Sequence, residues 1–274
     1  MVHAARVGAC TLDFSSPYKK DFFMTHFQDT LRLAPPVVPQ AHGRGIGLLA
    51  AAQLSIVIRP YVGMDEGDLV ELFWDDCYVT ARQVSAHDVG QPLSLRVPES
   101  FVQEGVARVH YRVLHVGSGG ACSRRLKVPV KLACPGGQPF GEENQGLAPL
   151  IIPAPIQRYG VNPSQMRRGV PLTLAPYLNM AAEDEITLLW GDVRLDLPKL
   201  VGEDIGKPVR LFVPPAVIQE AGEDSGLELT YCVIDRVGNN SRWAPARRLR
   251  VGSARHYIRA PRPDFAKLAQ PCRG

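Results

Sequence analysis

Aspartates that recur at a fixed spacing are the first residues in this 274-residue chain that could do chemistry. When the sequence is compared with itself at a shift of 116 positions, Asp76 aligns with Asp192 and Asp88 with Asp204. General acid–base catalysis needs ionisable groups held close together, so these four are the candidate catalytic residues for a site between two units. Asp88 and Asp204 each stand two residues before a glycine, which more simply predicts turns held by an Asp side chain bonded to its own backbone.

A second acidic group, Asp65, Glu66 and Asp68, has the hard oxygen ligands that Ca²⁺ prefers. Its spacing matches no calcium loop known to us, and the corresponding residues 181–184 read Ala-Ala-Glu-Asp, so two of the acids are missing there. We therefore interpret both stretches as solvated turns and expect no metal.

The histidines are scattered and do not recur between the copies: they are His3, His26, His42, His87, His110, His115 and His256. His110 and His115 flank Tyr111, but a spacing of five along an extended strand places them on opposite faces. We interpret them as solvent-facing strand histidines. The glycines of residues 42–47 could suggest a phosphate cradle, yet no strand-to-helix context surrounds them, so a flexible loop is favoured and no cofactor is expected.

The repeat itself is extensive. Between residues 60 and 104, 15 of 45 positions are identical to those 116 further on, among them Tyr61/Tyr177, Asp68/Asp184 and Trp74/Trp190. The shift then grows to 120 at Tyr111/Tyr231, as expected when surface loops gain residues. Such self-similarity indicates two copies of one folding unit.

Each copy reads as short strands separated by turn signals, which predicts an all-β sandwich. Val70, Leu72 and Trp74 alternate with Glu71 and Phe73, and the second copy repeats the alternation up to Trp190. The apolar partners of both tryptophans predict buried packing residues and not sugar-stacking platforms.

The repeat also predicts the domain organisation. Five segments follow from it: an irregular or disordered start (1–30), a first sandwich (31–130), a linker (131–148), a second sandwich (149–252) and a flexible basic tail (253–274). The first 23 residues have no counterpart in the second copy, and whether they belong to the native protein is open.

The order of a strand tryptophan, a Tyr-x-Val strand, a turn and a closing strand resembles immunoglobulin-like and fibronectin type III-like sandwiches. Leucine/proline openings at 33–39 and 149–155, and the Met-Asp-x-Gly-Asp loop at 64–68, resemble the tandem repeats of large proteobacterial surface proteins. The likeness covers residues 31–252. It departs from antibody domains because Cys232 directly follows Tyr231 and has no partner on an early strand.

Charge and cysteines limit the possible functions. The net charge is +4, but from Arg242 onward nine Lys/Arg face one Asp, so the body before it has 22 basic and 26 acidic residues. This argues against a nucleic-acid-binding body. The cysteines, which do not recur between copies, are read as unpaired or locally buried thiols: Cys10, Cys77, Cys122, Cys134, Cys232 and Cys272. The start lacks the order of a secretory signal, and no apolar run is long enough for a membrane helix.

The resemblance implies a non-enzymatic binding or spacer module with a protein or glycan ligand, in bacterial surface adhesion or host recognition. A cryptic enzyme or toxin-associated protein with an interdomain site is one alternative. Binding of an anionic polymer by the basic residues 242–273 is the other. A secreted or cell-surface location is implied, with a cytoplasmic one left open; ligand and oligomeric state are not readable.

Overall fold

A computed structural model describes residues 33–41, 44–117 and 119–252. The segments predicted as an irregular start and a basic tail, 1–30 and 253–274, lie outside these residues. So do four of the histidines (His3, His26, His42 and His256) and two cysteines (Cys10 and Cys272).

Strands dominate the described part of the chain. The first copy contains β1 (Ser55–Ile58), β2 (Leu69–Trp74), β3 (Cys77–Gln83), β4 (Leu93–Arg96), β5 (Gly105–Leu114), β6 (Gly120–Cys122) and β7 (Leu126–Val130). The second contains β8 (Val170–Leu174), β9 (Glu185–Trp190), β10 (Val193–Asp196), β11 (Val209–Val213), β12 (Asp224–Ile234), β13 (Asn240–Trp243) and β14 (Arg247–Val251). Short α-helices are α1 (Leu48–Ala52), α2 (Ala154–Tyr159), α3 (Pro163–Arg168) and α4 (Pro215–Ala221), and 3₁₀ turns occur at Pro39–Ala41, Glu99–Phe101 and Gly202–Asp204.

Both copies arrange these strands in one antiparallel pattern. In the first, β1 pairs with β4, and a larger sheet has the order β3-β2-β5-β6 with β7 beside the first half of β5. In the second, β8 pairs with β11, and the larger sheet has the order β10-β9-β12-β13 with β14 beside β12. Each copy is an all-β sandwich, as the sequence predicted.

Two separate hydrophobic clusters fill the sandwiches. One joins both sheets of the first copy, with Ile56 and Leu95 from the small sheet and Leu72 from the large one, and the other does the same in the second copy. Trp74 is 2% exposed and Trp190 0%. The prediction that both indoles are buried packing residues is confirmed. The exact domain boundaries stay a prediction.

The two core tyrosines occupy matched places on β5 and β12. Tyr111 is 1% exposed and Tyr231 0%, and burial raises the pKa of each phenol to about 12. The Tyr231 hydroxyl donates to the Ala148 carbonyl over 2.9 Å, which ties the strand to the segment that precedes the second sandwich.

Several elements were not foreseen in the sequence. The edge strands β3 and β10 were missed, as were the helices. For α3 the signals are present: Asn162 and Gln165 form a reciprocal capping box, Pro163 is the first helical residue, and Gly169 ends the helix at φ +89°.

The remaining composition-based expectations concern thiols and membranes. Cys77 and Cys122 are free and exposed, and Cys134 and Cys232 are free and buried, as expected for unpaired thiols. Within the described ranges, no helix combines the length and the apolar character that crossing a bilayer requires.

Candidate binding surface and interdomain joint

The repeated aspartates proposed as catalytic candidates occupy turns. Asp88 Oδ2 accepts from the Ser85 amide over 3.1 Å, and Asp204 Oδ2 accepts from the Val201 amide over 2.9 Å. The predicted side-chain-to-backbone turn is therefore confirmed in both copies. The hydrogen bond from the Ser85 hydroxyl is the main cause that lowers the pKa of Asp88, which favours its ionised form.

Asp76 and Asp192 belong to the two-residue hairpins that follow each core tryptophan. In the first hairpin both Asp75 (φ +49°) and Asp76 (φ +64°) have positive φ, and the Asp76 carboxylate lies 2.6 Å from the Arg125 guanidinium. In the second hairpin Gly191, which aligns with Asp75, has φ +59°. The structure places these aspartates in the turns of two different sandwiches, and Asp88 and Asp204 in two further turns. Asp76, Asp88 and Asp204 each contact a group of their own sandwich.

The acidic loop of the first copy differs from the solvated turn that we expected. Asp65 and Glu66 are exposed, but Asp68 is 1% exposed, so the expectation is wrong for Asp68. Its Oδ2 accepts from the Tyr61 hydroxyl (2.9 Å) and the Asp65 amide (3.2 Å). These donors replace the water that a buried carboxylate loses.

His115 completes that arrangement. Its Nδ1 lies 2.9 Å from Asp68 Oδ1, and because a carboxylate only accepts, Nδ1 carries the proton. His110 points to the other side of the sheet, where it stacks on Phe73 at 5.0 Å between ring centroids. The opposite-face prediction is thus correct, but neither imidazole is the solvent-facing side chain that we expected, with exposures of 13% and 15%. Among the described residues, no group of three or more His, Cys, Asp or Glu could hold a metal ion.

The second copy repeats the carboxylate without the histidine. Asp184 is 0% exposed, and its Oδ2 accepts from the Tyr177 hydroxyl (2.8 Å) and the Ala181 amide (3.0 Å). Its Oδ1 has no hydrogen-bond partner. The shift of 120 that aligns Tyr111 with Tyr231 places Asp235 where the first copy has His115. The sequence signal for this hydrogen-bonded pair of a tyrosine and a buried aspartate is the Tyr-x₆-Asp spacing shared by both copies, which the prediction of solvated turns overlooked.

Asp235 lies at a contact between the two sandwiches. Its Oδ1 accepts from the amides of Val237 and Asn239, and its Oδ2 accepts from the Asn239 side chain over 3.0 Å. Lys131, directly after β7 of the first sandwich, brings its ammonium to 3.0 Å from Asp235 Oδ2. Asn239 also donates to the Lys131 carbonyl (2.8 Å) and accepts from the Leu48 amide (2.7 Å). We call the contact made by these residues the joint.

Two further features belong to the joint. Arg44 and Glu183 form an exposed ion pair of 3.1 Å across it. Gly45 and Gly47 were expected in a flexible loop, but both pack closely: an added Cβ would lie 2.6 Å from the Pro129 carbonyl oxygen and 2.7 Å from Asn239 Oδ1, respectively. This close packing gives the two glycines a structural role and does not support a phosphate-binding loop. The neighbouring residues 42 and 43 lie outside the described ranges.

The segment predicted as a linker, 131–148, packs on the second sandwich. Gly136 donates to the Leu178 carbonyl (2.8 Å) and Asn144 to the Trp243 carbonyl (2.8 Å). Leu147 is a member of the second core cluster. The connection between the sandwiches is therefore structured over much of its length.

The outer face of the large sheet in the first sandwich contains an aromatic row, formed by Tyr78, Phe73 and His110 on β3, β2 and β5. The cross-strand register places Phe73 opposite both neighbours, and its ring meets Tyr78 edge-on at 6.1 Å. Arg112 lies over the Phe73 ring at 5.6 Å and pairs with Glu71 at 2.6 Å. Tyr78 is 55% exposed, so the row presents an aromatic side chain to solvent.

The same face of the second sandwich has a different composition. The register places Arg194, Leu189 and Thr230 at the positions of the aromatic row. On the same sheet, a pocket of about 330 Å³ is lined by Glu142, Cys232, Asn240, Arg242 and Trp243. The two copies therefore share a core and differ on this face.

Comparison with known proteins finds fold neighbours at low similarity. No protein-family model and no curated protein matches the chain. Among solved structures it is similar to the fibronectin(III)-like modules of CbhA from Clostridium thermocellum (8% identity, TM-score 0.43, 87% of this chain and 99% of that chain). It is also similar to the FN1–FN3 domains of chicken CNTN1 (9%, 0.38, 81% and 67%).

A third neighbour is a structure of a 1.5-MDa bacterial ice-binding adhesin (12% identity, TM-score 0.37, 81% of this chain and 66% of that chain). The chain thus spans just under two thirds of that structure. These neighbours are of the kinds that the sequence resemblance named. Identities this low transfer no function, and the assignment to tandem β-sandwiches comes from strand order and the two cores.

Proposed function

We propose that the chain is a non-enzymatic module of two tandem immunoglobulin-like sandwiches, with boundaries near 31–130 and 149–252, that presents one sheet face to a protein or glycan ligand. The proposed setting is adhesion or host recognition at a bacterial surface. The aromatic row of the first sandwich is the observation that carries the proposal.

The fold does not require that row. Phe73 and His110 pack on each other outside the core, and the second copy folds with Leu189 and Thr230 in their places. The Tyr78 ring, which is 55% exposed, and the Arg112 guanidinium both lie against the Phe73 ring, so the face offers apolar area, a hydroxyl and charge together. Tyrosine and arginine are among the side chains that are enriched at binding hot spots of interfaces.

The joint supports the spacer part of the proposal. Lys131, Asn239 and the packed segment 131–148 connect the sandwiches through specific contacts. Such contacts restrict how the first sandwich moves relative to the second. A binding face on the first sandwich is then held at a defined position relative to whatever follows the second.

The test is binding to arrays of glycans and of host-surface proteins, with the full chain, with Tyr78→Ser, and with Arg194→Ser as the matched control on the second sandwich. Loss of a hot-spot side chain costs roughly 2 kcal/mol or more, so we expect Tyr78→Ser to weaken binding about 30-fold or more and Arg194→Ser to leave it unchanged.

Two results would contradict the proposal. Equal affinity of the wild type and Tyr78→Ser would remove the row from the interface. Binding that disappears when residues 253–274 are deleted, and that falls steeply with salt, would assign it to the basic tail instead.

A further inference from the structure

Strand β13, at the edge of the large sheet of the second sandwich, contains a bulge, whereas its counterpart β6 pairs in unbroken register. In the first copy, residues 112–114 of β5 pair one to one with residues 120–122 of β6. In the second copy, residues 232–234 of β12 face one residue more, 240–243, and the register shifts between them. The second copy has therefore gained one residue within this strand, and an extra residue of this kind forms a β-bulge.

Arg242 adopts the strained backbone of the bulge. Its φ is +64°, in the left-handed region that favours glycine. The Asn240 side-chain oxygen accepts from the Arg242 amide over 2.7 Å, and the buried Ser241 hydroxyl accepts from the Val233 amide over 2.8 Å. A glycine would form the same bulge without strain, so the bulge alone does not account for an arginine there. Bulges often re-aim a side chain beside a functional site.

The pocket of about 330 Å³ on this sheet is lined by the bulge, and we call it the bulge pocket. Its lining residues are Glu142, Cys232, Asn240, Arg242 and Trp243. Its volume is at the lower end of the range of about 300–1,000 Å³ that small-molecule sites have. Cys232 is 6% exposed, and burial raises the pKa of its thiol, so it contributes an uncharged and largely apolar side chain.

Glu142 reaches the bulge pocket from the segment between the sandwiches. The Asn144 amide donates to the Trp243 carbonyl over 2.8 Å, and Glu143 forms a parallel β-bridge with Trp243. The segment therefore runs beside β13, and two parts of the chain that are distant in sequence meet at one pocket.

The polar groups of the bulge pocket are not used by the fold. Within the described ranges, the Glu142 carboxylate and the Arg242 guanidinium form no ion pair, although both line the same pocket. The Asn240 side-chain NH₂ and the Trp243 indole N–H have no hydrogen-bond partner in that part of the chain either. Because Glu142, Asn240 and Arg242 are exposed and Trp243 is half-buried, these groups are accessible to a ligand.

These groups indicate the class of ligand. One carboxylate and one guanidinium give the lining no net charge, and an anion would be repelled by Glu142 and a cation by Arg242. A hydroxyl group both donates to a carboxylate and accepts from a guanidinium or an amide, so it suits both sides of the pocket. A sugar ring offers several neighbouring hydroxyls, and its apolar C–H face can pack on an aromatic ring such as that of Trp243.

We propose that the bulge pocket binds one sugar residue of an uncharged glycan, which packs on Trp243 and hydrogen-bonds with Glu142, Asn240 and Arg242. The pairing of β5 with β6 places Cys122 where the second copy has Trp243, so the two copies differ at the residue that packs on the sugar. The aromatic row lies on the other sandwich. This inference therefore goes beyond the proposed function and depends on different residues.

The experiment titrates the full, ¹⁵N-labelled chain with the methyl glycosides of glucose, galactose, mannose and N-acetylglucosamine, and follows the indole N–H signals by NMR. The chain has three tryptophans, and the signal that disappears in Trp243→Phe is that of Trp243. Trp74 and Trp190 are buried in the two cores, so their signals serve as internal references. Glycine, a small zwitterion that could match both charges of the pocket, is the comparison ligand.

We expect a saturable shift of the Trp243 signal alone with at least one glycoside, at concentrations up to about 50 mM, which would nearly saturate a site with a Kd of about 1 mM. Arg242→Gly should weaken this binding about tenfold or more, because hydrogen bonds from a charged group are lost. Its thermal midpoint should stay the same or rise, because glycine adopts a positive φ without strain. The control Arg247→Gln, which changes an exposed arginine on β14 outside the pocket, should alter neither quantity.

The proposal is wrong if no glycoside shifts the Trp243 signal saturably, if Arg242→Gly binds as tightly as the wild type, or if glycine shifts the signal as the glycosides do. The wild-type titration decides on its own should a variant fail to fold. Because the Trp243 signal reports on the second sandwich, failure of this test leaves the binding experiment with Tyr78→Ser intact, and the reverse also holds.

Discussion

Replacing Tyr177 by Phe tests how the second sandwich holds its buried carboxylate. Asp184 Oδ2 accepts two hydrogen bonds and Oδ1 none, so the variant leaves a single donor, the Ala181 amide. A hydrogen bond to a charged group contributes about 1.5–3 kcal/mol, and Asp184 would keep only one of its two donors. We expect a loss of about 2–3 kcal/mol in the free energy of unfolding at neutral pH.

The equivalent change in the first sandwich, Tyr61 to Phe, is the internal control. Asp68 keeps the Asp65 amide and His115, so we expect a smaller loss of about 1–2 kcal/mol. The comparison removes effects common to any Tyr-to-Phe change, because the two tyrosines occupy matched loops.

The pH dependence of the Tyr177 variant has a definite sign. Burial raises the pKa of Asp184 and the Tyr177 hydroxyl opposes that rise, so removing the hydroxyl moves this pKa further above the unfolded-state value. A carboxyl with a raised folded-state pKa favours the folded state at low pH, and that contribution is lost as pH rises through the folded pKa. The cost of the substitution is therefore largest at neutral pH and shrinks in acid, by about 1.36 kcal/mol per unit of extra shift.

Hydrogen exchange in increasing urea, followed by mass spectrometry on peptides from β2 and β9, separates the two sandwiches. The measurement is made at about pH 7.5 and about pH 5, with exchange rates corrected for pH. Equal losses for the two variants, or a loss at Tyr177 that grows in acid, would show that the Tyr177 hydroxyl does not stabilise the Asp184 carboxylate.

Three further predictions concern packing and backbone. Trp190→Ala should cost about 3–5 kcal/mol in the second sandwich, measured by urea unfolding, because it empties a fully buried site. Tyr231→Phe should cost about 1 kcal/mol in the same assay, as the bond to the Ala148 carbonyl is lost. Gly169→Ala should lower the thermal midpoint more than Gly90→Ala: both have positive φ, but an added Cβ at 169 would lie 2.3 Å from a Phe212 ring carbon, whereas at 90 it meets nothing within 4 Å.

Sequence reasoning recovered the parts of the fold that repeat and alternate. The shift of 116 aligned Trp74 with Trp190, and strict alternation on β2 placed the first of them in the core. Strand β3 was not predicted because it lies at a sheet edge, where its residues are exposed or half-buried throughout and show no alternation of apolar and polar residues. The helices were not predicted because they span 5–7 residues, which are too few to show a helical period.

The two buried loop aspartates and the joint could not be predicted in the same way. Asp68 and Asp184 were interpreted as solvated because aspartate is rarely buried, and the partners that make burial possible are distant in sequence. His115 is 47 residues from Asp68, and Asn239 is 108 residues from Lys131. Only the folded chain brings these groups together, and the single local hint was the repeated Tyr-x₆-Asp spacing.

The packed segment between the sandwiches has a mechanical consequence. If residues 131–148 were free chain, they could extend to roughly 60 Å when the molecule is stretched, without any unfolding of the sandwiches. Leu147 is part of the second core, however, and Asn144 is bonded to the Trp243 backbone. A pulling force must break these contacts before the segment can extend. The connection between the sandwiches therefore lengthens only after the second sandwich begins to unfold.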